Sequence, residues 1–312
     1  MKKEKYNIIF IGTPDFSVPT LEALIANERF SITAVVTAPD ARVGRKQILT
    51  PPPVKTGAQK HGLKILQPKN IVDIADKIGK IQVDVIITIA YGQILPEIIL
   101  KIPKYGCLNL HASLLPKYQG ASPIQTAIAN GDKETGVTLM KMDKGMDTGD
   151  IIAREKINIT KEDTGEKLHD KLSKLSAEVA IKYIADYIEG RLKLQKQNEK
   201  QASQAPKLTR DSGKINWSKS AEEIERLIRA YYPWPGTWCK WNSKTLKIIS
   251  VSNIIQINKH KPGAIFLHNK ELAVQCAENA ITIKELQLEG KNKMTSQEFL
   301  AGHKDISNSV SK

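Results

Sequence analysis

The feature that most constrains the fold is a β-branched run from Val83 to Ala90, set among segments that alternate strand-like and helix-like patterns. A run of this kind is the pattern of a strand buried on both faces, which a parallel sheet requires. Asn7–Gly12 and Ile32–Thr37 read as strands too, and others are expected at 106–110, 137–142 and 151–157. After the first strand, Thr13-Pro14 offers a helix cap followed by proline at the first helical position. Phe16, Leu21, Leu24 and Ile25 then supply one apolar side. Leu168, Leu172, Leu175, Val179, Tyr183 and Tyr187 recur at helical spacing and predict a long helix over 164–189, closed by Gly190. This alternation predicts an α/β domain with a largely parallel sheet over residues 1–190.

Residues 191–206 are polar, rich in Gln and Lys, and read as a linker. Beyond them Ser220 and Glu223 have capping-box spacing, and Ile224, Leu227, Ile228 and Tyr231 line one side of a short helix. Pro233-Trp234-Pro235-Gly236 then breaks the chain. Short strand candidates follow at 237–241, 246–251, 263–267, 271–275 and 280–286, the spacing of a small β-barrel over residues 207–312.

Composition narrows the class. With 41% hydrophobic residues in 312, the chain can bury a sizeable core and is not wholly disordered. Its uncharged run through the apolar centre, Val85–Pro96, is too short to cross a bilayer, so no membrane role is expected. Asn7–Gly12 is likewise too short for a secretory signal. Cys107, Cys239 and Cys276 lie far apart, which argues against disulfides or a metal site and points to a reducing cytoplasm. The net charge is +14; residues 191–312 contribute +10 of it, from 21 Lys+Arg against 11 Asp+Glu. Nucleic acid is one reading of that asymmetry, and a well-solvated lysine-rich surface is the other.

Two segments have the composition of a reaction centre. In Asn109-Leu110-His111-Ala112-Ser113-Leu114-Leu115-Pro116, strand alternation places Asn109 and His111 on the same side of a strand end. In an open α/β sheet that is the ligand edge, although a His there also serves to tie down a loop. In Asp143-Lys144-Gly145-Met146-Asp147-Thr148-Gly149-Asp150 three carboxylates crowd into eight residues. Crowding of this kind forces one inward or uses all of them in turns, and the spacing does not match a calcium loop. No G-x-G-x-x-G or G-x-S-x-G pattern is present.

These segments, with Phe10 to Phe16, Pro39 to Gln47, Ala90 to Leu95, Ala205 to Leu208 and Tyr232 to Gly236, resemble the folate-dependent formyltransferases. Among these the resemblance is to the methionyl-tRNA formyltransferase family, and it runs nearly the whole length. The resemblance implies a Rossmann-like formyltransferase domain followed by a smaller OB-like β-barrel domain that binds tRNA. It implies 10-formyltetrahydrofolate as formyl donor, methionyl initiator tRNA as acceptor, and no metal; a cytoplasmic monomer is expected. Asn109, His111 and Asp147 are then the catalytic residues, donating to the oxyanion and moving the proton. Ile89, Ala90, Tyr91, Ser113, Leu114, Leu115 and Pro116 would form the folate pocket. Arg42, Arg45 and Lys46, in a loop without acids after Asp40, would contact the acceptor stem. The family commonly has a basic residue directly after that aspartate, and here Ala41 stands there with Arg42 one place later. Trp217, Trp234, Trp238 and Trp241 are available for base stacking or for core packing. Rival readings are a formyltransferase acting on a sugar-nucleotide amine, one acting on glycinamide ribonucleotide, and a non-enzymatic RNA-binding protein.

Overall fold

The computed structural model describes residues 5–44, 46–306 and 309–310, which form two compact units. The first comprises residues up to Pro123, Glu134–Asn158 and His169–Ala205. Its strands are β1 (Tyr6–Gly12), β2 (Phe30–Val36), β3 (Ala41–Val43), β4 (Ile48–Thr50), β5 (Ile65–Leu66), β6 (Val85–Ile89), β7 (Cys107–His111), β8 (Gln119–Gly120), β9 (Glu134–Lys141), β10 (Ile151–Asn158) and β11 (Gln204–Ala205). Seven of them form one sheet in the order β10-β9-β7-β6-β1-β2-β5. The pairs β5–β2, β2–β1, β1–β6 and β6–β7 are parallel, whereas β7–β9 and β9–β10 are antiparallel. The sheet is therefore largely parallel, as the alternation predicts. All five residues of β6 and Ile8 to Ile11 of β1 are buried, as strands covered on both faces must be.

Helix α1 (Val18–Ala26) follows β1, and later in the chain come α2 (Pro53–Lys60), α3 (Ala75–Gly79), α4 (Glu97–Leu100), α5 (Pro123–Ala129) and the long α6 (Gly165–Ile188). The second unit takes Ile124–Lys133 and Ile159–Leu168, hence most of α5 and the start of α6. Three local expectations are corrected. Thr13 does not cap α1, because its hydroxyl bonds to the Tyr91 carbonyl at 3.4 Å; a short 3-10 turn at Asp15–Ser17 intervenes, and the proline in the first turn of α1 is Pro19. The buried stripe of α6 continues through Ile184 and Ile188, while Tyr183 and Tyr187 lie half-buried beside it. The Tyr187 hydroxyl donates to the Tyr105 carbonyl and that of Tyr183 to Glu155, so each ring packs while its polar tip finds an acceptor. The basic loop after β2 folds as a hairpin, with Arg42 opposite Leu49 and Val43 opposite Ile48.

Residues 191–206 carry ordered backbone pairing. Gln195 exchanges two hydrogen bonds with Ile151, and β11 pairs in parallel with β8. Polar composition identified this segment as a linker because amide side chains have no apolar signature; here they bond instead to protein groups.

The second unit contains α7 (Ala221–Tyr231), capped by the expected Ser220–Glu223 box, and strands β12 (Thr237–Trp241), β13 (Lys244–Ile255), β14 (Ile265–His268), β15 (Glu271–Gln275), β16 (Ala280–Leu288) and β17 (Met294–Thr295). Helix α8 (Ser296–Gly302) follows. The sheet order is β12-β13-β16-β15-β14, antiparallel throughout, with β17 added on β16. Register shifts between β13 and β16 bend these strands. Ser309 touches both edges of the sheet: its carbonyl accepts from Ile265 N–H and its hydroxyl oxygen from Trp241 Nε1. Trp217 and Trp241 are buried in this core with Ile224, Ile228, Ile283 and Phe299, whereas Trp234 is exposed. Core packing is thus the use of Trp217 and Trp241. Among the described residues no helix is long and apolar enough to cross a membrane.

Candidate active site

Strand β7 is the place where the sheet changes from parallel to antiparallel pairing. Its carboxyl end carries Asn109 and His111 two residues apart, so both project from one face. Their register neighbours are Thr88 on β6 and Met140 and Thr138 on β9. The turn after β9 brings Asp147 to the same place. Asn109 Nδ2 donates to Asp147 Oδ1 at 3.3 Å, and His111 Nδ1 lies 3.5 Å from Oδ2. Residues far apart in sequence thus converge, and both side chains are largely withdrawn from water, with 7% exposure for His111 and 15% for Asp147.

Two features hold that carboxylate. The Gly120 N–H donates to Asp147 Oδ2 at 2.9 Å. Gly120 has φ +110° and packs so tightly that a Cβ there would lie 2.8 Å from the Ala205 carbonyl oxygen, so only glycine fits. Asp147 itself is left-handed at φ +57°, a conformation costing a non-glycine residue about 1–2 kcal/mol unless its surroundings stabilise it. Of the other two acids, Asp143 is a turn residue that accepts from Gly145 N–H at 3.0 Å and Thr148 Oγ1 at 2.8 Å. Asp150 uses its backbone carbonyl to receive the Lys141 N–H.

His111 Nε2 lies 2.8 Å from the Tyr118 carbonyl, an acceptor, so Nε2 carries a proton and Nδ1 faces Asp147. Both ring nitrogens therefore face protein acceptors. An imidazole held in this way is suited to exchanging charge with Asp147 more than to reaching a substrate oxygen. Asn109 is different: its Nδ2 has two protons, and one remains after the bond to Asp147 among the described hydrogen bonds.

The residues expected at the folate pocket divide by burial. Ala90 is exposed at the tip of β6 with φ +47°, and Leu114 is half-buried. Ile89, Tyr91, Ser113, Leu115 and Pro116 are buried. Ser17 Oγ donates to the Ile89 carbonyl at 2.8 Å, and burial pushes the Tyr91 phenol up to about 12. Thr138 Oγ1 donates to the Ser113 carbonyl at 2.6 Å and accepts from Leu115 N–H at 3.0 Å. Arg154 donates to the Leu115 carbonyl at 2.9 Å. Ser113 and Leu115 thus build the turn, leaving Ala90 and Leu114 as its accessible surface.

Arg42 and Lys46 lie on the exposed β3–β4 hairpin, and Arg45 lies outside the described residues. Arg42 Nη1 donates to the Gln47 carbonyl at 3.1 Å. Val43, Ile48 and Leu49 are exposed on the same hairpin, each more than half. At its base Gln67 and then Lys55, each donating to Asp40 at 2.8 Å, hold that carboxyl below the usual range. The positive charge of Lys55 is thus already committed to an acid. Sequence reasoning passed over Tyr118, Gly120, Thr138 and Gln197, all of which contact the site or its loops. None of the four carried a signal of this role in the sequence, because each acts through a contact that only the fold brings about.

Residues 6–184 match the family described as Formyl transferase, and 207–304 match Formyl transferase, C-terminal domain. The chain is 44% identical over 299 residues to a methionyl-tRNA formyltransferase of Caldanaerobacter subterraneus subsp. tengcongensis, spanning 95% of this chain and 96% of that one. It is 42% identical to a methionyl-tRNA formyltransferase of Geobacter metallireducens over 95% of both. A crystal structure of WlaRD, a sugar 3N-formyl transferase in the presence of dTDP and 5-N-formyl-THF, has a similar fold, with TM-score 0.67 and 23% identity over 93% of this chain and all of that one. The convergence of Asn109, His111 and Asp147 on this fold and the full-length relationship agree: the chain belongs to the formyl transferase family and, within it, to the methionyl-tRNA formyltransferases.

Proposed function

We propose that this protein transfers the formyl group of 10-formyltetrahydrofolate to the α-amine of methionyl initiator tRNA, giving N-formylmethionyl-tRNA for translation initiation. The observation that carries the reading is the approach of Asn109 and His111 to one carboxylate, at 3.3 and 3.5 Å, in a chain similar to a methionyl-tRNA formyltransferase over 95% of its length. The donor class is supported by the formyl-folate named with the structurally similar sugar formyltransferase.

The amine attacks as its free base, and its lone pair forms the new C–N bond while the formyl carbonyl electrons move to oxygen. The second Nδ2 proton of Asn109 donates to that oxyanion. The attacking nitrogen becomes positive and passes one proton to Asp147, directly or through water, with His111 sharing the charge across the 3.5 Å contact. The carbonyl re-forms, the bond to folate N10 breaks, and N10 takes a proton in exchange. Ala90, Leu114 and the buried turn Ser113–Pro116 would shape the folate pocket, with Ile89 and Tyr91 fixing the tip of β6. Arg42, Arg45 and Lys46 would meet acceptor-stem phosphates, and the basic region 207–312 the rest of the tRNA backbone. On this reading residues 1–190 form the catalytic domain and 207–312 the tRNA-binding domain, acting as a cytoplasmic monomer.

The test is incubation with 10-formyltetrahydrofolate and either methionyl initiator or methionyl elongator tRNA, scoring formyl-methionine. Transfer to the initiator alone is expected. Failure of transfer to both, with folate bound, would overturn the acceptor.

A further inference from the structure

We infer that Gln197, on the segment joining the two family-matched regions, is a positioning residue for Asp147. This rests on the proposed role of Asp147 as proton acceptor. Gln197 Nε2 spends both of its protons on the loop that carries the carboxylate: one reaches the carbonyl of Asp147 at 2.7 Å, the other that of Gly149 at 2.8 Å. Two carbonyls two residues apart are drawn to a single nitrogen, which defines the turn from Asp147 to Gly149. That turn holds Asp147 at φ +57°, and its side-chain direction follows from its backbone.

The amide of Gln197 is itself oriented. Its Oε1 accepts from Gln119 Nε2 at 3.0 Å, and Gln119 Oε1 accepts from Gln204 Nε2 at 3.0 Å. Three amides thus form a directional relay from Gln204 through buried Gln119 to Gln197, each fixing which end of the next is the donor. No charge is involved, so the loop is held without placing a competing ion beside Asp147. A carboxylate at 197 would set oxygens against two carbonyls, and an apolar side chain would leave both without this donor.

The same strap reaches the other partner of the carboxylate. Ser203 Oγ accepts from Tyr118 N–H at 3.0 Å, and the Ser203 carbonyl accepts from Gln119 N–H at 2.8 Å. The Tyr118 carbonyl is the acceptor of His111 Nε2. A segment that looks like a tether from its composition therefore supports both Asp147 and His111.

Gln197→Leu and Gln119→Leu, each keeping side-chain volume, are assayed with the full-length protein beside Asp147→Asn, with thermal unfolding to confirm that each is folded. Gln197→Leu is expected to lower kcat about tenfold or more while the KM for each substrate stays within about twofold, because only transition-state geometry is lost. Gln119→Leu is expected to lose less, and the double variant to be no slower than Gln197→Leu alone, because Gln119 acts through Gln197. Should Gln197→Leu not fold, Gln119→Leu carries the test: it must lower kcat without raising either KM. Wild-type kcat in folded Gln197→Leu, or full additivity in the double variant, overturns the inference if Asp147→Asn is inactive. Full turnover in Asp147→Asn overturns the role of Asp147 and this inference with it.

Discussion

Gly149→Ala tests how tightly the Asp147 loop is fixed against the sheet. A Cβ at 149 would lie 1.9 Å from the Lys141 carbonyl oxygen and 3.0 Å from its carbon. Even a short C–H···O contact needs about 3.3 Å, so the loop or the end of β9 must move by about 1.4 Å. Neither gives way cheaply. Lys141 N–H bonds to the Asp150 carbonyl at 2.8 Å, and Gln197 holds the Gly149 carbonyl at 2.8 Å. The expected loss of stability is about 2–3 kcal/mol, the usual scale for forcing an extra carbon into a packed site. On the role proposed for Asp147, a shift of that size lowers turnover about 100-fold. Urea unfolding gives the first number and formyl transfer under saturating substrates gives the second. Gly79→Ala is the control, since nothing lies within 4 Å of its Cβ position at the end of α3. Unfolding free energy and kcat both at wild-type values in Gly149→Ala would refute the reasoning.

Asp147→Asn and His111→Ala should each lower kcat by about 10²–10⁴ with tRNA affinity nearly unchanged; a loss of tRNA binding with normal single-turnover rate would contradict the roles given them. Arg42→Ala and Lys46→Ala should each raise the KM for tRNA and reduce its salt dependence by about one unit of log–log slope, leaving folate KM unchanged. An unaltered reaction at limiting tRNA would remove the hairpin from the interface. Hydrogen bonds from Lys101 and then Lys144, at 2.7 and 2.8 Å, hold Glu97 down to about 2 from its ordinary 4.5. A depressed carboxylate stabilises the fold above its unfolded value and ceases to do so as pH falls through the folded one. Wild type should therefore melt slightly above Glu97→Gln at pH 7, and that small margin should vanish as the pH approaches about 2. The site is solvent-exposed, so added salt should shrink the margin as well. Identical melting at pH 7 and low salt would show that the pair contributes nothing.

The parallel sheet was legible because β6 and β1 are apolar on both faces, a pattern with few alternatives. Asn109 and His111 were legible because a period of two puts both on one face at a strand end. Which of three nearby carboxylates would turn inward was not legible from spacing. It depends on a left-handed backbone at Asp147, on Gly120 and on the Gln197 bonds, all set by tertiary partners. The β3–β4 hairpin escaped notice because Pro51 to Pro53 and the basic residues read as an irregular loop. Its short strands bury almost nothing, so no hydrophobic pattern marks them. In α6 the stripe was read through Tyr183 and Tyr187, but a phenol needs an acceptor for its hydroxyl, and Ile184 and Ile188 take the buried positions. The glutamines of the strap were invisible for a related reason. An amide has no charge, no hydrophobicity and no nucleophile, and its role comes only from what it faces.

The central claim is most directly tested by competition between acceptors. The protein is mixed with labelled 10-formyltetrahydrofolate, methionyl initiator tRNA and a dTDP-linked amino sugar at equal concentration, and both products are quantified over a single turnover. The account predicts label on methionyl-tRNA, lost with Asp147→Asn. Label on the amino sugar, with methionyl-tRNA untouched, would contradict it.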